Sequence, residues 1–230
     1  MLKLCLKDLL AARWFLLANM TVLLLYALQP YFSAGFIMAA GGVVVIAGLA
    51  IVFFLEDRDK TEILTLSLPV KRSAIVGARH LLGALFLAVC GGIVFGVIAP
   101  LGTVIRSRSD AAGLSRLLSI EAAVLFFVIT LFFLALYLPL YHRFGFGRGT
   151  IVFLIAGIAL VSLGAAGLFA ILPAAPAPGR ELGTAVIGSV RAIRSSLGTP
   201  LFLLSAVAVV VVPFAISLRL SLRFYARREF

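Results

Sequence analysis

The sequence is short of charge, and of negative charge above all. Only 13% of its 230 residues are charged and only nine are Asp or Glu, whereas 63% are hydrophobic. A soluble domain carries about 25% charged and about 45–50% apolar residues, so a fold surrounded by water would have no core large enough for this excess. Lipid must therefore solvate much of the chain, and no large soluble domain is expected.

Cysteine and histidine are equally scarce, with two residues of each. Cys5 and Cys90 form no disulfide framework, and His80 and His142 lie far apart in sequence without a nearby acidic or cysteine cluster, so we expect neither a metal nor a cofactor. The apolar runs contain almost no ionisable residue in their interiors, where an ion-coupled carrier places its functional acid or histidine. A membrane enzyme is also disfavoured, because no paired carboxylates or nucleophile arrangement share one depth.

The long apolar runs are continuous rather than alternating, which predicts membrane-spanning helices and not a barrel. A span needs about 20 mostly apolar residues. We predict an all-α integral membrane protein that forms a single domain over residues 1–230 and has six transmembrane helices. Leucines at helical spacing ahead of the first span predict an N-terminal interfacial helix. The six predicted spans cover residues 14–28, 34–55, 81–105, 122–141, 151–172 and 201–218.

The net charge of +11 comes mostly from basic residues at the ends of these runs. Basic residues there anchor helices and set their orientation, so we expect no nucleic-acid partner. Most of the 20 Lys and Arg residues fall on the side of the N-terminus, which predicts that both termini are cytoplasmic in a multi-pass protein of the cell membrane. A long outer loop then separates spans 5 and 6, and a helix is predicted within it over Leu182 to Leu197.

One short segment after the second span concentrates the acidic charge. Four of the nine acidic residues lie between Glu56 and Glu62. On a helix, Glu56 would face Lys60 and Arg58 would face Glu62, and such pairs contribute about 0.2–0.5 kcal/mol each. The pattern predicts that the helix of span 2 continues out into water.

The residues that follow predict a short cytosolic helix from Thr61 to Ser67 between spans 2 and 3. Pro69 ends this helix, because proline is poorly tolerated inside one. The helix is too rich in leucine for a merely solvated loop. Two interpretations remain open from the residues alone: the apolar side chains contact a partner protein, or they pack back on the membrane surface.

Residues 56–79 resemble the permease subunits of type-2 ABC transporters. The resemblance consists of the acid-rich span end, Lys60-Thr61, the leucine-rich helix, Leu68-Pro69-Val70-Lys71-Arg72, Ile75-Val76 and a basic residue entering span 3. The layout of an N-terminal Leu-Lys-Asp segment, six spans and a long outer loop before the last span is also similar. These subunits work with a separate ATPase.

The resemblance implies that the helix after span 2 is a coupling helix, seated in a cleft of an ABC ATPase subunit. The chain has no Gly-x-x-x-x-Gly-Lys-Ser/Thr loop, so ATP hydrolysis is expected on that partner and not on this chain. The expected function is ATP-driven transport, directed outward, together with a second permease copy or a sister permease. The alternative is a membrane scaffold that anchors a cytosolic partner without transport. The residues implied in ATPase contact are Asp59, Lys60, Glu62, Ile63, Leu66 and Pro69.

Overall fold

The computed structural model describes residues 2–28, 34–58, 72–105, 119–171 and 180–226. Every regular element within these ranges is helical, as the sequence predicts. A single π-helical turn, Val94–Ile98, joins the third helix to the fourth. The helices are α1 (Leu2–Leu28), α2 (Ala34–Arg58), α3 (Arg72–Ile93), α4 (Ala99–Ile105), α5 (Ile120–Ile171), α6 (Arg180–Leu197) and α7 (Thr199–Ala226).

Four stretches of the described helices are long and apolar enough to cross a bilayer. They are Ile37–Arg58, Ser73–Leu101, Ile120–Ala159 and Thr199–Ala226, and a shorter apolar helix, Ala12–Leu25, lies where span 1 is predicted. The prediction of a multi-pass membrane protein is thus confirmed. The fifth predicted span begins inside the Ile120–Ala159 stretch, so the count of six spans stays a prediction.

The first helix differs from the sequence expectation, whereas the start of the third agrees with it. Helix α1 runs from Leu2 to Leu28 without a break, so the predicted interfacial helix is not separate from the first span. Helix α3 begins at Arg72, as expected of a new helix that leads through Arg79 and His80 into span 3. Within this helix, Arg79 contacts Glu56 of α2 and His80 contacts Ser217 of α7.

The predicted turn between spans 4 and 5 is a break inside α5 at Gly145. This residue has φ 77° and ψ −176°, whereas its neighbours on both sides are helical. A positive φ of this size is accessible to glycine at little steric cost. Gly145 therefore divides α5 into a first arm, residues 120–144, and a second arm, residues 146–171.

Helix α2 lies at the centre of the bundle, where it packs against α1, α3 and α5, while α5 packs extensively against α7. Leu49 and Phe53 of α2, Phe86 of α3 and Leu134 of α5 are completely buried. In contrast, most apolar side chains of α7 are exposed, as expected of a helix that faces lipid. Since lipid is as apolar as leucine, close packing rather than water exclusion stabilises the contacts between these helices.

Glycine permits the closest approach between α3 and α5, although not at the positions that the sequence pattern favours. The Gly-x-x-x-Gly pair Gly92 and Gly96 predicts packing inside the subunit, yet a Cβ at either residue would meet nothing within 4 Å. A Cβ at Gly91 would lie 2.6 Å from Cζ of Phe127. Gly91 is therefore the residue on the packed face, one position before the motif.

Two neighbouring alanine substitutions are expected to differ in stability for this reason. Gly91→Ala forces Phe127 to move, and overpacking of this kind costs about 1–3 kcal/mol. Gly92→Ala has the same effect on helix propensity but meets no neighbour, so it serves as the matched control. Unfolding titrations in mixed micelles should show Gly91→Ala as the less stable variant. Equal stabilities would contradict the close packing of α3 on α5.

Candidate functional site

A buried ion pair joins α2 to α3 near the ends that border residues 59–71. Nη2 of Arg79 donates to Oε2 of Glu56 over 2.8 Å, and the two side chains are only 5% and 10% exposed. A buried charge pair is strongly destabilised when either partner is lost, because the other charge is then left without compensation. The pair therefore holds the two helices together at this end.

Aromatic rings from three helices surround the same guanidinium. Its carbon atom lies 5.0 Å from the ring centroid of Tyr141, 5.6 Å from that of Phe53 and 6.0 Å from that of Tyr225. The rings of Phe53 and Tyr141 stack with centroids 3.9 Å apart. A cation within about 6 Å of an aromatic face is attracted by the ring's electrons, most strongly where water is excluded. We call Phe53, Glu56, Arg79, Tyr141 and Tyr225 the Glu56 cluster.

The side chains of the Glu56 cluster come from four helices. Phe53 and Glu56 are three residues apart on α2 and so share one face. Arg79 lies on α3, Tyr141 at the end of the first arm of α5, and Tyr225 near the end of α7. Glu56 lies two residues before the end of α2, and Arg79 is within the second turn of α3. The cluster thus fixes both helices from which residues 59–71 extend.

The predicted contact residues themselves lie outside the described part of the chain. This applies to the predicted helix from Thr61 to Ser67 and to the six residues implied in ATPase contact. The carboxylate of Glu56 contacts Arg79, and Lys60, which it is expected to face, also lies outside the described residues. The six residues are Asp59, Lys60, Glu62, Ile63, Leu66 and Pro69.

Sequence reasoning missed the Glu56 cluster because it treated Glu56 and Arg79 as solvated ends of spans. One signal was available: Arg79 follows six uncharged residues of helix, and a cation in such a position usually faces a partner. The identity of that partner is a tertiary fact, since 23 residues separate the pair in sequence.

The two histidines, far apart in sequence, lie beside this cluster. The rings of His80 and His142 are nearly parallel with centroids 6.2 Å apart. Nδ1 of His80 donates to the carbonyl oxygen of Val76 over 3.0 Å, and Nε2 lies 3.3 Å from Oγ of Ser217. No group of three or more potential metal-binding side chains exists among the residues that the structure describes. His80 thus makes a polar contact from α3 to α7, and the ring of His142 on α5 packs beside it.

A second charged contact lies at the other end of the first arm of α5. Oε1 of Glu121 accepts from Nη1 of Arg194 on α6 over 2.8 Å, and Nε of Arg191 is 3.8 Å from the same oxygen. Glu121 and Tyr141 are separated by about 30 Å along the helix at 1.5 Å per residue. This distance equals the thickness of a bilayer's hydrocarbon core. The two charged contacts are therefore as far apart along α5 as that core is thick.

A family model described as ABC-2 family transporter protein matches residues 3–226. The chain belongs to this ABC-2 family. A search of curated proteins gave no match. Membership makes the chain a membrane permease component, distinct from the ATPase, and implies association with ABC ATPase subunits.

In this ABC-2 permease, loss of the contact at Glu121 is expected to loosen α6. Glu121→Gln removes the charge that holds Arg194, and because Arg194 is 34% exposed the expected cost is about 1 kcal/mol or less. Hydrogen exchange of residues 180–197 should become several-fold faster. Arg191→Gln is the matched control, since Arg191 is 64% exposed and its contact is longer. Exchange unchanged by Glu121→Gln would contradict a role for this contact in holding α6.

Proposed function

We propose that this permease couples ATP hydrolysis on a separate ABC ATPase subunit to outward movement of a substrate across the cell membrane. The observation that carries the proposal is the buried pair Glu56–Arg79, which joins the two helices that border residues 59–71. In a member of the ABC-2 family, a short cytosolic segment between two firmly joined spans is suited to receive force from an ATPase.

The mechanism follows from the rigidity of that attachment. ATP would draw two ATPase subunits together and displace the segment 59–71. Helices α2 and α3 would then move as one unit, because the ion pair and the rings around it prevent them from sliding independently. Packed interfaces switch between discrete arrangements rather than deform continuously, so this movement would repack α5 and α7 and change which side of the membrane is open.

The proposal includes a topology. The whole chain forms one domain with six spans and both termini in the cytoplasm, which places the Glu56 cluster on the cytoplasmic side and the Glu121–Arg194 contact outside. A second copy or a sister permease completes the pathway. Thiol labelling of a single cysteine placed at residue 64, applied from outside intact cells, tests the orientation: labelling there would refute it.

Two substitutions in the proposed coupling segment test the function directly. Glu62→Arg and Leu66→Asp are each expected to lower the ATPase turnover of the purified complex at least about tenfold, because a reversed charge or a buried carboxylate costs more than about 1.4 kcal/mol at a contact. The measurement is ATP hydrolysis and substrate export by the complex in proteoliposomes.

Matched controls separate this effect from general damage. Asp57→Arg reverses a charge at the exposed end of α2, outside the predicted contact, and Leu66→Ile keeps the apolar side chain. Both should retain turnover. If Glu62→Arg and Leu66→Asp leave assembly and turnover intact, residues 59–71 are not the coupling element. Retained assembly without any transport by the wild-type complex would favour the scaffold alternative.

A further inference from the structure

Helix α7 carries two arginines on one face beyond its apolar stretch. Arg219 and Arg223 are exposed and one helical turn apart. Together with Ile216 and Leu220, which are 53% and 37% exposed, they line a shallow groove of about 210 Å³. Neither arginine forms an ion pair with a carboxylate of the described residues. The groove therefore combines an apolar floor with two positive charges that no carboxylate of the described ranges neutralises.

The position of the groove along α7 is that of lipid headgroups. The helix has 28 residues and is about 42 Å long at 1.5 Å per residue. The hydrocarbon core is about 30 Å thick, so α7 extends beyond it. The uncharged stretch from Pro200 to Leu218 fills the core, and Arg219 is the first charged residue after it. Arg223 follows one turn, about 5.4 Å, further out.

From this charge, depth and shape we infer that Arg219 and Arg223 bind the phosphate of an anionic phospholipid in the cytoplasmic leaflet. A guanidinium presents two parallel N–H donors that match phosphate oxygens. Two guanidinium groups one helical turn apart can therefore bind the same headgroup. Ile216 and Leu220 extend toward the bilayer core and contact the start of the acyl chains. The inference uses the orientation proposed above but does not depend on transport activity.

A lipid accounts for the groove better than an acidic protein surface does. The two apolar side chains in it would gain nothing from a carboxylate-rich partner, whereas a phospholipid supplies both phosphate and hydrocarbon. The cytoplasmic leaflet is also the one that carries anionic lipid in cells, and each basic residue near it strengthens binding by about fivefold.

Native mass spectrometry of the full-length chain in mild detergent tests the site. The protein is titrated with phosphatidylglycerol, with phosphatidylcholine and with inorganic phosphate. The wild type should bind phosphatidylglycerol in preference to phosphatidylcholine, and Arg219→Gln/Arg223→Gln should weaken that binding by about thirtyfold. Arg148→Gln removes an exposed arginine near the start of the second arm of α5 and should leave binding unchanged.

The other outcomes each support or overturn the assignment. Arg219→Lys/Arg223→Lys keeps the charges and should retain most of the binding, which also tests the site if the glutamine variant folds poorly. Equal weakening by Arg148→Gln would mean that general positive charge, not this groove, binds the lipid. Displacement of the lipid by an equal concentration of inorganic phosphate would assign the site to a free anion. Loss of ATPase association in the glutamine variant, with lipid binding intact, would assign the arginines to a protein contact.

Discussion

Arg79→Met is expected to lower the free energy of unfolding by about 3–5 kcal/mol, since removing one partner leaves the other charge buried without compensation. The charge left without its partner is that of Glu56, whose side chain is 10% exposed. The loss also removes a cation from the faces of three rings. Urea titration of the protein in mixed micelles measures the effect, with Arg148→Gln as an exposed control that should change stability little.

The two partners of the pair should not be equivalent. Glu56→Gln leaves an oxygen that accepts from Arg79 and leaves the rings around the guanidinium in place, so it should cost less than Arg79→Met. The double variant Glu56→Gln/Arg79→Met should be more stable than the sum of the single effects predicts, because no charge is then left buried. Additive effects would show that the two side chains do not interact as the 2.8 Å contact indicates.

Glu56→Gln also gives a functional readout that stability alone would not explain. If the Glu56 cluster transmits movement from the ATPase, a folded Glu56→Gln complex should hydrolyse ATP yet export less substrate per ATP than the wild type. The ratio of the two rates in proteoliposomes is the quantity to compare. A normal ratio would confine the cluster to a structural role.

Phe53→Ala is the second large effect, expected to cost about 3–5 kcal/mol. Phe53 is completely buried and stacks on Tyr141 at 3.9 Å while also facing the Arg79 guanidinium. Truncation removes both contacts and leaves a cavity that the surrounding helices fill only in part. In the same titration, the unfolding midpoint of Phe53→Ala should lie at a lower urea concentration than that of the wild type.

The neighbouring phenylalanine offers a close control. Phe54 is 43% exposed on the same helix, so Phe54→Ala creates no enclosed cavity and should cost much less. Phe53→Leu should fall between the two alanine variants, because it keeps most of the volume but loses the aromatic face. Equal costs for Phe53→Ala and Phe54→Ala would contradict the burial of Phe53.

The candidate site shows which functional residues a local sequence pattern can predict and which it cannot. The acidic, leucine-bearing segment after span 2 was recognisable as unusual because charge is so rare elsewhere in the chain. The residues that join the two helices on either side of this segment were not recognisable. Glu56 looked like one half of a local pair with Lys60, and Arg79 looked like an anchor at the membrane boundary. Pairing across helices leaves no periodic signal, so neither residue indicated the other.

The glycines and histidines make the same point. The Gly-x-x-x-Gly pattern of Gly92 and Gly96 indicated a packed face, but Gly91 occupies it, because rotation of a helix about its own axis is set by its neighbours. His80 and His142 looked unrelated, yet their rings lie 6.2 Å apart. Sequence separation carries no information about distance once two helices cross.

The sequence by itself determined that this protein is helical and resides in a membrane, because composition and apolar run length are additive properties that each segment carries alone. Its resemblance to transporter permeases came from one short segment, residues 56–79. Only the tertiary structure decided which charged, aromatic and small side chains meet: Glu56 with Arg79, Glu121 with Arg194, Gly91 with Phe127. Such partners depend on how far each helix is rotated and shifted against the others. Lipid solvates every apolar helix face equally well. The rotation and shift of each helix are therefore set by close packing and by the few polar groups that pair between helices.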